Sequence, residues 1–355
     1  MEHLLVSLPT AVDLLALVTC LGTLSSRLWV VPHGAAEAER VVLTTLRAAL
    51  WRLLGLALVA LTLSSAGELL GRTLTMSGQP LGMLGRTLPI VVARTHYGRV
   101  WCIRFGGLAL LWIGWSVGRQ RLHVSSIPAS MLAAGALIAL TRSLAGHAAD
   151  WGDVTFAVLM DWLHLLAGGL WGGGLWALAW VVLPPVRRHA DPHRVLHADL
   201  ARRFARLASL ALAVVLVTGA ANAWVQIGRV QALWMTPYGR TLLTKLLLVG
   251  GVVVLGALNH YLYVPRLQQW AGRRVAGGWL TRAVDRWVRR AARGRTPMGP
   301  TIAQHWWRTV GTEGLLVLGV LLCTVLLLHS PPARSPSHTM PGPTETAPPA
   351  THHDH

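Results

Sequence analysis

The chain has 355 residues, of which 53% are apolar and only 13% charged, a balance that excludes an ordinary soluble domain and points to lipid as the solvent. Lys and Arg outnumber Asp and Glu by 32 to 14, yet the arginines fall between apolar blocks of spanning length. That pattern encodes membrane topology and argues against a nucleic-acid partner.

Met1-Glu2-His3 offers no basic n-region and no small-residue cleavage site follows it, so the first apolar block is expected to stay as a helix. Crossing a core of about 30 Å takes roughly 20 apolar residues. Eight blocks meet that length: Leu4 to Val30, Leu50 to Leu70, Val100 to Val117, Ile127 to Ala145, Val154 to Leu183, Leu207 to Ile227, Thr241 to Tyr261 and Val310 to Leu328. The expected fold class is therefore an all-α polytopic membrane protein.

Cationic side chains near span ends are retained on the cytoplasmic side. The loop after the fifth block carries Arg187, Arg188, Arg194, Arg202 and Arg203, and the loop after the seventh is richer still, whereas Gly146-His147-Ala148-Ala149-Asp150 has no Lys or Arg. Both termini are thus expected on the outer, periplasmic face of a bacterial cytoplasmic membrane. Between residues 266 and 295, Leu280, Val284, Trp287, Val288 and Ala291 recur at helical spacing among arginines, which predicts an amphipathic helix on the inner leaflet. Residues 331–355 are rich in proline and cannot pack a core. Cys20, Cys102 and Cys323 lie in or beside apolar blocks without metal-binding or redox spacing, and read as packing residues.

The chain also repeats itself. Thr95-His96-Tyr97-Gly98-Arg99 precedes the third block and Thr236-Pro237-Tyr238-Gly239-Arg240 the seventh, with Arg104 and Lys245 each five residues past the motif arginine. Asp13-Leu14-Leu15-Ala16 and Asp161-Trp162-Leu163-His164 occupy matching places in the first and fifth blocks. The expected organisation is two four-helix halves, residues 1–148 and 149–330, of the same orientation, followed by the 331–355 tail. Transport sites often lie at such repeat interfaces.

Ionisable groups within a span cost about 2.5 to 3.5 kcal/mol each on insertion scales and need partners or a function. Asp13, Glu68, Arg104 and Lys245, with Asn222 and Glu313, are therefore marked as pathway or ion-pair residues, the plainer reading being ion pairing between the two halves. Met160, Asp161 and His164 lie on consecutive turns of the fifth block, ahead of Gly168, Gly169, Gly172, Gly173 and Gly174. Thioether and imidazole together suit Cu(I), and the glycines allow close helix approach. His147 just upstream and His352, His353 and His355 in the outer tail complete the expected metal ligands, for copper ion.

Gly146-His147-Ala148 followed by the run from Asp161 to Leu175 resembles the central signature of the copper resistance protein D (CopD) family. Arg203 to Leu207, Val217 to Trp224, Thr236 to Arg240, Lys245, Ala257 to His260, Glu313 and Pro331-Pro332 follow in that family's order. The resemblance implies an inner-membrane protein that imports copper in partnership with a periplasmic copper-binding protein, CopC. One departure is plain: Ala16 stands where His164 would be matched in the first half. No Walker sequence and no phosphorylated-aspartate pump signature is present, so ATP-driven pumping and enzyme chemistry are not expected. The alternatives are a haem-binding membrane oxidoreductase, with His164 as axial ligand, and a copper sensor or scaffold that transports nothing.

Overall fold

The computed structural model describes residues 2–34, 37–122, 124–150, 152–188, 190–227, 231–275, 278–291 and 299–330, and among them all regular structure is helical. Eight helices are long and apolar enough to cross a membrane: α1 (Leu8–Val30), α2 (Glu39–Ser77), α3 (His96–Gly118), α4 (Ser126–Leu144), α5 (Phe156–Arg187), α6 (Arg194–Ile227), α7 (Pro237–Trp270) and α8 (Pro300–Leu328). Several overrun the apolar blocks that announce them. At 39 residues, α2 is roughly 58 Å long, and it begins in a charged stretch holding Arg40, Arg47 and Arg52. Helix geometry continues there because charged side chains are solvated beyond the hydrocarbon.

α1 and α5 form the centre of the bundle. Two thirds (67%) of the most apolar stretch of each is buried within the protein, against 11% for α7, which gives most of its surface to lipid. The two central helices cross backbone to backbone. A Cβ on Gly22 would lie 1.9 Å from the carbonyl carbon of Gly173, and one on Gly173 would lie 1.9 Å from the Val18 carbonyl oxygen, so only glycine permits the approach. Ser25 Oγ, which bonds the Gly22 carbonyl at 2.9 Å and the Leu170 carbonyl at 3.2 Å, stitches the crossing.

Around this axis the buried side chains fall into two groups. Leu17, Leu21, Leu54, Leu58, Leu111 and Ile138 gather α1 to α4. Leu175, Leu178, Val182, Leu200 and Val310 gather α5, α6 and α8, with Leu14 and Val18 of α1 joining them. Indole N–H groups tie neighbouring helices within each group. Trp51 and Trp115 each donate to the other's carbonyl at 3.1 Å, and Trp176 and Trp307 donate to Gly314 and Ala179 carbonyls at 2.8 and 2.7 Å.

The two matching motifs fold in the same way. Thr95 Oγ1 accepts from the Gly98 amide and Thr236 Oγ1 from the Gly239 amide, both at 2.9 Å, capping α3 and α7. Each glycine lies against the backbone of the preceding turn, where a Cβ would come within 2.3 Å of Val91 O or 2.1 Å of Ala232 O. Wide π-helical turns interrupt α1 at Ser26–Val30, α5 at Gly169–Gly173 and Ala177–Val182, and α7 at Asn259–Tyr263.

Within the 266–295 segment, the described residues form a helix over Trp279–Ala291. Arg266 belongs instead to the end of α7, where it is 5% exposed and donates to Asp285 at 2.5 Å. Arg289 holds the other Asp285 oxygen at 2.6 Å. Burial pushes the Asp285 carboxyl up, but the hydrogen bonds from Arg289 and Arg266 outweigh it and hold it below the usual carboxylate range. An acidic latch thus docks this basic helix onto α7.

Candidate functional site

In the first half, the intramembrane charges close on one another. Asp13 on α1 is fully buried, and Arg104 of α3 reaches it with Nη2 at 2.5 and 2.6 Å from the two carboxylate oxygens. Ser65 of α2 donates to Asp13 at 2.9 Å and accepts from Arg104 Nε at 3.0 Å, while Arg104 Nη1 reaches Thr141 of α4 at 3.2 Å. Arg142 Nη1 lies 2.7 and 2.8 Å from the Glu68 oxygens and 3.3 Å from Asp13. Two carboxylates thus face two guanidiniums, and every carboxylate oxygen has a donor. A cation entering this set would have to displace an arginine, and its bonds join α1, α2, α3 and α4. The pairing anticipated between the two halves is found within the first half.

In the second half the corresponding groups are loosely held. Asp161 of α5 accepts from Ser143 at 2.7 Å through one oxygen. Lys245 of α7 shares its electrostatic surroundings with Asp161 and His164, but among the described residues it makes no hydrogen bond or ion pair.

His164 is oriented with care. Its Nδ1 lies 3.1 Å from Thr218 Oγ1 on α6, and the single hydroxyl proton of Thr218 is given to the Val214 carbonyl at 2.6 Å. Thr218 can then only accept, so His164 Nδ1 carries the proton and Nε2 keeps its lone pair. A second-shell bond on one ring nitrogen that frees the other for a metal is the usual arrangement of a ligating histidine. Gly219 makes room for the ring, since a Cβ there would lie 3.1 Å from His164 Cε1. Met160 is half-buried one turn before His164, and Asn222 is half-buried one turn beyond Thr218.

Other expected ligands are placed differently. The His147 side chain and all of His352, His353 and His355 lie outside the described residues. His96, at the start of α3, is engaged by Asp153 at 2.8 Å. No group of three or more His, Cys, Asp or Glu side chains able to hold a metal occurs among the described residues. What α5 offers is the imidazole of His164, oriented by Thr218 of α6, with the Asp161 carboxylate and the Met160 thioether within about one turn of it. Glu313 lies deeper, on α8, and accepts from Asn259 Nδ2 of α7 at 2.7 Å.

A family model described as Copper resistance protein D matches residues 198–327, and one described as Copper resistance protein D-like, N-terminal domain, matches residues 1–155. The chain belongs to the copper resistance protein D family. Copper transport protein CutJ of Bacillus subtilis (strain 168) is 33% identical over 140 residues, 39% of this chain and 25% of that one. Copper resistance protein D of Pseudomonas syringae pv. tomato is 29% identical over 185 residues, 51% of this chain and 58% of that one. The chain thus matches a quarter and somewhat over half of the length of these curated relatives. No solved structure matches it. Family and fold together make it a multi-pass membrane protein of the copper resistance protein D family. The stretch bearing Met160, Asp161 and His164 falls between the two matched ranges, whereas Thr218, Lys245, Asn259 and Glu313 fall inside the second.

Three residues escape a reading of the sequence alone. Arg142 ends α4 and looks there like any interfacial arginine, although as a cation inside the apolar block Ile127 to Ala145 it was a usable signal. Thr218 and Gly219 stand in a small-residue run, and only the packing of α5 on α6 gives them a role.

Proposed function

We propose that the chain imports copper through the cytoplasmic membrane, with Met160, Asp161 and His164 as the outer loading site. The observation that carries this reading is the His164 ring held by Thr218 beside Asp161, whose carboxylate among the described residues meets one serine hydroxyl and no ion-pair partner within bonding distance. Arginine-rich loops after α5 and α7 support an orientation with both termini outside, which puts this site on the face where imported metal arrives. His147 and the tail residues His352, His353 and His355 act as collectors, and a periplasmic CopC-like protein is the proposed donor. The second half, residues 149–330, forms the path, and the first half, residues 1–148, is its rigid support.

Copper(I) uptake into proteoliposomes tests this reading. Wild-type protein accumulates the metal, and His164→Ala removes both outer-site copper binding and uptake. Equal accumulation by protein-free vesicles, or uptake undiminished in a folded His164→Ala variant, overturns it.

A further inference from the structure

Beyond the outer site, α5 to α8 enclose a pocket of about 60 Å³ whose lining includes Trp171, Phe204, Asn259, His260, Trp306 and Glu313. It begins where the outer site stops, because Trp171 lies seven residues, roughly 10 Å, deeper along α5 than His164. Its volume holds a small ion with a water or two.

The pocket is lined mostly by apolar side chains, with a buried carboxylate and a buried amide oxygen among its few polar atoms. Glu313 is 2% exposed, and among the described residues its one hydrogen bond is the one from Asn259 and it has no ion-pair partner. Its Oε1 faces Gly256, where a Cβ would lie 3.4 Å away. Asn259 Oδ1 is also buried and unpartnered, as is the Trp171 indole N–H. The wide turn Asn259–Tyr263 begins at this point of α7, and such turns occur frequently at functional sites. His260, exposed, stands at the inner mouth. A carboxylate and an amide oxygen, both buried at membrane depth and short of donors, are matched by a cation.

We infer that this pocket is a second station for the transported copper ion, an oxygen-lined inner site whose carboxylate, Glu313, offsets the ion's charge on its way to the cytoplasm. The inference rests on the import reading above. Imidazole and thioether at the outer site hold a soft cation well, while carboxylate and amide oxygens hold it loosely. Conduction needs that second property, since an ion must be stabilised at depth yet free to leave. His260 then offers a nitrogen at the exit.

The experiment compares wild-type protein, His164→Ala, Glu313→Gln and the double variant Glu313→Gln/Asn259→Asp in proteoliposomes, reading Cu(I) bound at equilibrium and initial Cu(I) uptake. Glu313→Gln keeps the shape of the pocket and removes its charge. It is expected to retain outer-site binding while uptake falls by at least about ten-fold. Asn259→Asp in that background returns a carboxylate to the same pocket and restores uptake in part. Wild-type uptake by Glu313→Gln overturns the inner station while leaving the import reading intact if His164→Ala is still inactive. Uptake undiminished in His164→Ala overturns the import reading itself. Should Glu313→Gln fail to fold, a folded double variant decides: recovery of uptake supports the station, and uptake at least about ten-fold below wild type refutes it.

Discussion

Asp13 in the first half is bonded to two arginines and two serines, whereas Asp161, at the matching place in the second, takes a single serine hydroxyl, and among the described residues the nearby Lys245 reaches it without a hydrogen bond or close ion pair. The contrast extends to the next turn, where Ala16 packs in the core and His164 places its ring against Thr218 of α6. Two similar stretches of sequence have thus been put to different uses. Where carboxylates and guanidiniums balance and every oxygen is engaged, the set resists entry of any further ion and fixes the helices. Where the same positions carry fewer bonds and an imidazole, an incoming cation meets partners less fully committed.

The largest effect should come from opening the closed set. Arg104→Ala leaves Asp13 buried without its main partner, and breaking such a pair costs about 3 to 5 kcal/mol. Lys245→Ala, which among the described residues removes no hydrogen bond or close ion pair, should shift stability by less than about 1 kcal/mol. Unfolding midpoints in detergent measure both. If the two variants melt alike, the halves do not differ in the way described.

Much of this architecture is legible in the sequence because bilayer thickness imposes it: all eight helices were marked by apolar runs of the required length. The ends were not, since α2 continues through Glu39 to Arg52 and α8 starts at Pro300, where polar residues keep the helix but lose the hydropathy signal. The charged residues were also legible as outliers within spans. Their partners were not. Nothing along the chain says that Arg104 joins Asp13, 91 positions away, or that Glu313 joins Asn259, 54 away, because helix packing alone decides which faces meet.

An intermediate effect is expected at Thr218. Replacing it with Val keeps the shape but removes the acceptor that holds Nδ1–H, so the His164 ring loses its fixed tautomer. Losing such a second-shell bond typically lowers metal affinity about 10- to 100-fold. Competition against a Cu(I) chelator measures it, and Thr218→Ser should restore most of the affinity. Unchanged affinity in a folded Thr218→Val protein would mean that His164 does not hold the metal through Nε2. Gly219→Ala should act in the same direction but more weakly, as its Cβ requires the ring to yield by only a few tenths of an ångström.

The smallest expected effect sharpens the comparison from the side where the halves agree. Thr95 and Thr236 make the same cap at the same distance, each giving its hydroxyl proton to a carbonyl one turn back at 2.7 Å. Thr95→Ala and Thr236→Ala should therefore each cost about 1 kcal/mol, the usual value of a lost cap, and the two losses should match. Neither should alter copper binding, because both caps lie outside the ionic set and outside the path. A much larger loss for Thr95→Ala would mean that α3 transmits disorder at its cap to Arg104, making the closed network depend on the motif and not on packing alone.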